Sequence, residues 1–140
     1  RVVLMEGTNA RHLINLPEPV DLVTIDASFI SLKFILPVVK GWLDVPDGQV
    51  IALIKPQFEA GPRAVAAHAG VIKERHVHRS VLEGLMSEVI DLGYSPAGLI
   101  PSPIHGSKGN VEFLVDLHLQ PAAQTVDIEK MIAGVLRSGF

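Results

Sequence analysis

The chain contains no cysteine, which excludes a disulfide framework, a thiolate zinc site and a cysteine nucleophile. It is also short of charge. Only 19% of the residues are Asp, Glu, Lys or Arg, and twelve basic against fifteen acidic residues leave a net charge of −3. A protein that grips nucleic acid mainly through phosphates is usually basic, so any grip on RNA or DNA must come largely from elsewhere. No apolar run approaches the roughly eighteen residues of a membrane helix. The opening Arg1-Val2-Val3-Leu4-Met5 is too short for a signal peptide. On these grounds the chain is expected to be soluble and cytoplasmic, with no membrane partner.

What is present points to one folded domain. With 140 residues, 48% of them apolar, the chain can bury about two thirds of its unfolded surface. Five apolar runs read as strands, at residues 2–5, 22–26, 49–55, 95–100 and 111–119. The third is the least interrupted, as expected of a strand covered on both faces. The fourth is weakened by Pro96 and Gly98. In the fifth, Val111, Phe113, Val115, Leu117 and Leu119 alternate with Glu112, Asp116 and His118, a strand period of two. Residues 74–92 and 125–138 carry apolar positions at helical spacing, the first followed by Gly93 as a stop. Residues 31–43 read as a helix with Pro37 either kinking it or lying in its first turn. Residues 56–72 read as a long loop, a mobile lid or a plain surface loop, that includes Glu59, Arg63 and His68.

Strands alternating with helices imply a largely parallel α/β sheet. The ten turn-like residues 101–110 leave no room for a helical crossover, so the last two strands should be antiparallel neighbours. In such sheets the ligand lies beyond the carboxyl ends of the parallel strands. Asp26 ends the second run, Lys55 ends the third, and Glu112 stands at the start of the antiparallel last strand, on the same rim. An Asp–Lys–Glu cluster suits chemistry on a hydroxyl. The carboxylates can keep the ammonium charged and oriented, or burial can turn the lysine into a base. The plainer alternative is that Asp26 caps the next helix, Lys55 is a strand end reaching for solvent, and Glu112 is a surface residue.

The same residues carry a resemblance. DLVTIDASFISL (residues 21–32), ALIKPQFEAG (52–61) and PSPIHGSKGNVEFL (101–114), preceded by RVVLMEGTNAR (1–11), resemble consecutive signatures of the TlyA/hemolysin A family of FtsJ-like methyltransferases. The resemblance covers roughly residues 1–119 and implies a Rossmann-like sheet, mostly parallel with one antiparallel terminal hairpin. It also implies S-adenosylmethionine as cofactor and ribose 2′-hydroxyls of ribosomal RNA as substrate. Asp26, Lys55 and Glu112 would match three members of the family's Lys–Asp–Lys–Glu tetrad. The first Lys, the glycine-rich cofactor loop and an S4-like RNA-binding domain have no counterpart in these residues. The resemblance therefore implies that residues 1–140 are one domain, the C-terminal portion of an FtsJ-like methyltransferase domain from its third strand onward. Without the family's first two strands, residues 2–5 must pair with residues 22–26, swap onto another copy, or hang loose. An exposed inner edge invites self-association, and the 140 residues alone are expected not to turn over.

Other candidates divide between function and plain structure. Asn9 and Ala10 follow the first run, where such enzymes commonly contact the adenine of the cofactor; an ordinary Asn-capped turn is the alternative. The resemblance makes Ser28 and Phe29 part of a substrate-side loop, and no G-x-S-x-G elbow marks Ser28 as a nucleophile. Lys108 lies in a loop that lacks P-loop spacing, so it reads as a turn residue that can touch RNA backbone. His76 and His78 are two apart on a helix and point to different faces. Glu112, Asp116 and His118 share a strand face that a half-buried sheet explains better than a metal. A membrane-active hemolysin and a non-catalytic RNA-associated relative are the competing functions, and no basic amphipathic stretch supports the former.

Overall fold

The structure is a computed structural model that describes residues 1–43, 47–61, 66, 70–119 and 126–137. Four strands, β1 (Leu22–Ile25), β2 (Gln49–Ile54), β3 (Ser95–Pro101) and β4 (Phe113–His118), form one sheet in the order β1-β2-β4-β3. β1 and β2 are parallel, and β4 runs antiparallel to both β2 and β3. The result is an α/β fold with a mixed sheet. The β3–β4 hairpin expected from the short connection is present. Pro96 and Gly98 sit at a register shift in β3, an edge strand where a missing ladder donor is tolerated.

Period-two alternation builds the core. Val50, Ala52 and Ile54 of β2 face Leu117, Val115 and Phe113 of β4 on one side of the sheet, and all six are buried. The other side of β2 (Gln49, Ile51, Leu53) is half-buried, so β2 is covered fully on one face and not, as its sequence suggested, on both. Helices α1 (Leu36–Val39), α3 (Arg75–Asp91) and α4 (Ile128–Arg137) add Leu36, Val39, Leu82, Leu85, Met86, Val89, Ile132 and Leu136 to the same core. α3 ends as its sequence predicts: Gly93 takes φ +82, the left-handed C-terminal position that glycine fills without strain.

Three expectations are corrected. Residues 2–5 form no strand. They are exposed and unpaired among the described residues: they do not add to the open edge of β1, and an isolated extended segment has no stability of its own. Residues 31–43 are not one helix: a short turn at Leu32–Phe34 precedes α1, with Pro37 in the first turn of α1, where its missing N–H costs nothing. Residues 56–72 are not all loop, since α2 (Pro56–Glu59) starts directly after Lys55 with Pro56 at its first position. Arg63 and His68 lie outside the described residues. No helix among the described residues is long and apolar enough to cross a membrane.

Candidate functional site

Parallel pairing brings the ends of β1 and β2 side by side, Ile25 opposite Ala52, and each strand delivers a polar residue one or more steps on. Lys55 reaches back to Asp26, its Nζ 2.6 Å from Asp26 Oδ1, and also donates to Ser28 Oγ at 3.2 Å. The lysine side chain is 12% exposed and the aspartate 73%. The aliphatic stem is thus packed away and the ammonium is held at the surface of the edge. Asp26 does not cap the next turn. Ser31 does, accepting from Lys33 N–H at 3.3 Å.

Glu112 lies one residue before the Ile54–Phe113 pair of the β2–β4 ladder, level with Lys55 across the strands. The sequence placed it at a solvent rim; it is 6% exposed. Its Oε1 accepts from Gln57 Nε2 of α2 at 2.9 Å, so its recorded partner is a carboxamide and not Lys55. Gly106, in the loop between β3 and β4, lies against the same carboxylate: a Cβ there would collide with it. The Gln57 carboxamide oxygen is buried and has no partner among the described residues.

Glu59 closes the arrangement from the other side. Its Oε2 accepts from Ser31 Oγ at 2.6 Å and its Oε1 from Leu32 N–H at 2.8 Å. Burial pushes its carboxyl above the usual value, while the Ser31 and Leu32 bonds pull it down. Lys55, Gln57 and Glu59 leave a single stretch of five residues toward three different partners.

Between the two turns lies an aromatic contact. The Phe29 and Phe58 rings are 4.9 Å apart at 48°, with Phe29 89% exposed. Phe29 has φ +63, a backbone conformation that bulky L residues rarely adopt. Such strain concentrates where a side chain must be presented in a particular direction.

The structure therefore groups Asp26, Lys55, Ser28, Phe29 and Glu112 at one edge. It does not bring in the rest of the sequence-derived set. Asn9 caps the short turn Ala10–His12, its side chain accepting from Arg11 N–H at 3.1 Å, and it is exposed. Lys108 is exposed at φ +60 in the turn before β4. Asn110, buried, ties that turn to the segment before α3: its Oδ1 accepts from Ile72 N–H at 3.0 Å and its Nδ2 donates to Gly70 O at 3.1 Å. Asp116 accepts from Gln49 Nε2 at 2.8 Å and lies 3.1 Å from His118 Nε2 on the half-buried sheet face. Gln57 and Gly106 were missed by sequence reasoning, which named Glu59 only as part of a loop. Their signal was spacing: an alternate position after a strand-ending lysine, and a glycine six residues before Glu112.

A family model described as FtsJ-like methyltransferase matches residues 1–119. Over 124 residues the chain is 45% identical to YqxC of Bacillus subtilis, provisionally named an rRNA methyltransferase, covering 84% of this chain and 42% of that protein. It is 38% identical over 124 residues to the 16S/23S rRNA (cytidine-2′-O)-methyltransferase TlyA of Mycobacterium tuberculosis, covering 86% of this chain and 45% of that protein. A solved Lactococcus lactis protein named as a hemolysin superposes with a TM-score of 0.83 at 41% identity, over 96% of this chain and 66% of that one. The chain spans less than half the length of these two curated relatives.

Proposed function

The chain belongs to the FtsJ-like methyltransferase family, and on that premise we propose that the complete protein transfers a methyl group from S-adenosylmethionine to a ribose 2′-hydroxyl of ribosomal RNA. This chain supplies the acceptor side of the site. The observation that carries the reading is the Lys55 ammonium, held 2.6 Å from Asp26 at the carboxyl edge of the two parallel strands.

A 2′-hydroxyl is a poor nucleophile, and negative charge develops on its oxygen as its proton passes to water or to a neighbouring carboxylate ahead of attack on the methyl group. A cation already fixed at that point stabilises the developing charge without reorganising during the reaction. Asp26 orients the ammonium, Ser28 Oγ accepts a second of its protons, and one is left to face an incoming oxygen. Glu112, across the strands and anchored by Gln57, closes the far side of the edge. Ser28 and the exposed Phe29 ring face substrate, and Lys108 lies on the RNA side of the hairpin turn.

The methyl donor contributes an electrophilic methyl group on a sulfonium. Among the described residues, Asn9, Ala10 and Asp26 do not build a pocket for it. The Asn9 carboxamide oxygen is engaged by its own turn, and Asn9 and residues 1–8 are exposed. Asp26 is the one residue of the proposed cofactor set that stands at the acceptor edge. Accordingly the 140 residues alone are not expected to turn over, and the donor and an S4-like RNA-binding domain belong to the remainder of the protein.

The test is Lys55→Ala in the complete protein, assayed with ribosomal RNA and methyl-labelled S-adenosylmethionine. Transfer should fall about 10²–10³-fold, the usual cost of removing one charge-stabilising donor, with S-adenosylmethionine affinity little changed. Unaltered transfer would remove Lys55 from the mechanism, and joint loss of cofactor binding would reassign it to the cofactor.

A further inference from the structure

A second feature lies at the same end of the molecule. The start of α3 and the end of α4 enclose a hollow of about 400 Å³ lined by Arg75, His76, Arg79, Ala133, Leu136 and Arg137. Three of the chain's six arginines therefore surround one concavity in a protein of net charge −3, and no acidic residue lines it. Arg79 is paired with Glu83 at 3.3 Å, while Arg75 and Arg137 have no acidic partner among the described residues. Placing guanidinium groups together is unfavourable; Glu83 offsets Arg79, and Glu74 at the N-cap of α3 is the acidic residue next to Arg75 in sequence. Two separate helices contribute to the arrangement, so one helix's surface patterning does not account for it.

Topology places this hollow at the acceptor edge. His78, in the first turn of α3, meets the Phe113 ring edge-on at 5.5 Å, and its Nε2 lies 3.1 Å from Ile72 O. Phe113 pairs with Ile54, the residue before Lys55. The opposite end of α3 is fixed at the far end of the sheet, where Lys40 Nζ donates to Leu92 O and Ser95 pairs with His118. The arginines at the start of α3 therefore share the end of the domain that carries Asp26 and Lys55.

We propose that this hollow binds a backbone phosphate of the RNA substrate, with Arg75 and Arg137 as its principal contacts. The inference rests on the rRNA-modifying reading for the identity of the polymer. Planar guanidinium groups match phosphate oxygens in paired geometry. A local basic concavity also answers how a chain with an acidic balance holds a polyanion: the phosphate contact is concentrated here, and the rest of the surface adds little.

The test uses the complete protein, total ribosomal RNA as the probe, and affinity measured against KCl concentration. The pair Arg75→Ala with Arg137→Ala should weaken binding about tenfold or more and make the slope of log K against log salt shallower by about one, the loss of one phosphate contact. The pair Arg75→Lys with Arg137→Lys should restore the slope. Methyl transfer at saturating RNA should keep its rate while KM rises. An unchanged slope in the alanine pair, or a lysine pair as weak as the alanine pair, overturns the phosphate site. If the parent methylates RNA and the alanine pair keeps the parent slope, this site falls and the methyltransferase reading stands. If the slope drops but the parent transfers no methyl group, the site stands and that reading falls. A parent that does not retain RNA even at low salt overturns both.

Discussion

The Glu59 carboxylate grips Ser31 from 28 residues further along the chain, one oxygen on its hydroxyl and the other on the N–H of Leu32. This clamp joins the turn after β1 to the turn after β2, the two segments that carry Ser28 and Lys55. Removing it leaves a half-buried hydroxyl and amide without their charged acceptor, each loss costing about 1–3 kcal/mol. Glu59→Ala is therefore expected to destabilise the chain by about 2–4 kcal/mol, and Glu59→Gln, which can still accept from Leu32 N–H, by distinctly less. Urea unfolding of both variants checks the order.

Glu59 and His78 set opposing dependences on pH. Burial raises the Glu59 carboxyl above 4.5, so the native state takes up its proton before the unfolded chain does. That contribution to stability is complete below 4.5 and is lost as pH rises through the raised native value. Burial lowers His78 below 6.5, so the unfolded chain is protonated first as pH falls. Its contribution is complete above 6.5 and is lost as pH falls through the depressed native value. Between neutral pH and about pH 5, parent stability reflects both. His78→Asn should flatten the loss on acidification over that interval, and Glu59→Gln should steepen it, measured as the change in unfolding midpoint relative to each variant's own neutral value. The reverse order would contradict the burial of these two groups.

A Cβ on Gly106 would collide with the Glu112 carboxylate. Alanine there must displace that side chain or the loop backbone, a crowding that costs about 1–3 kcal/mol. In the complete protein Gly106→Ala should lose methyl transfer by more than its loss of stability explains, because the displaced group is the carboxylate at the acceptor edge. The comparison is activity well below the variant's melting temperature. Glu112→Gln, isosteric and still able to accept from Gln57, should lose activity with little change in stability.

Phe29 offers a test of stored strain. Its exposed ring contributes one contact, to Phe58, and its backbone sits at φ +63. Phe29→Gly relieves a conformation that costs a non-glycine residue about 1–2 kcal/mol and should leave stability unchanged or raised. Phe29→Ala keeps the strain, loses the ring contact and should be less stable than the glycine variant. An alanine variant more stable than the glycine variant would mean that the conformation is not strained.

The edge that carries Asp26, Lys55 and Glu112 was legible in the sequence because strand ends and a connection too short for a crossover are local signals. α3, with its five-turn apolar spacing and glycine stop, was equally legible. What escaped was what depends on neighbours. Residues 2–5 have the composition of a strand, but composition provides no hydrogen-bonding partner, and they do not add to the open edge of β1. Glu112 looked like a rim residue because alternation cannot reveal that Gln57 and Gly106 close over it. The short α2 was hidden because a four-residue helix shows no periodicity; its one signal was Pro56 directly after a strand-ending lysine. The arginine hollow joins residues about 60 positions apart through the packing of two helices, and no window of sequence contains both.

The last strand to be synthesised, β4, occupies the interior of the sheet between β2 and β3. β2 and β3 share no ladder of their own, so neither hairpin nor sheet can be completed until residues 113–118 have emerged. Assembly is therefore governed by long-range pairing and should be slow for a chain of this size. During translation the nascent chain would display the bare edges of β2 and β3 until residues 113–118 arrive, a period of vulnerability to aggregation. Glu112 comes level with Lys55 only in that same final event, so this edge and the completed fold appear together.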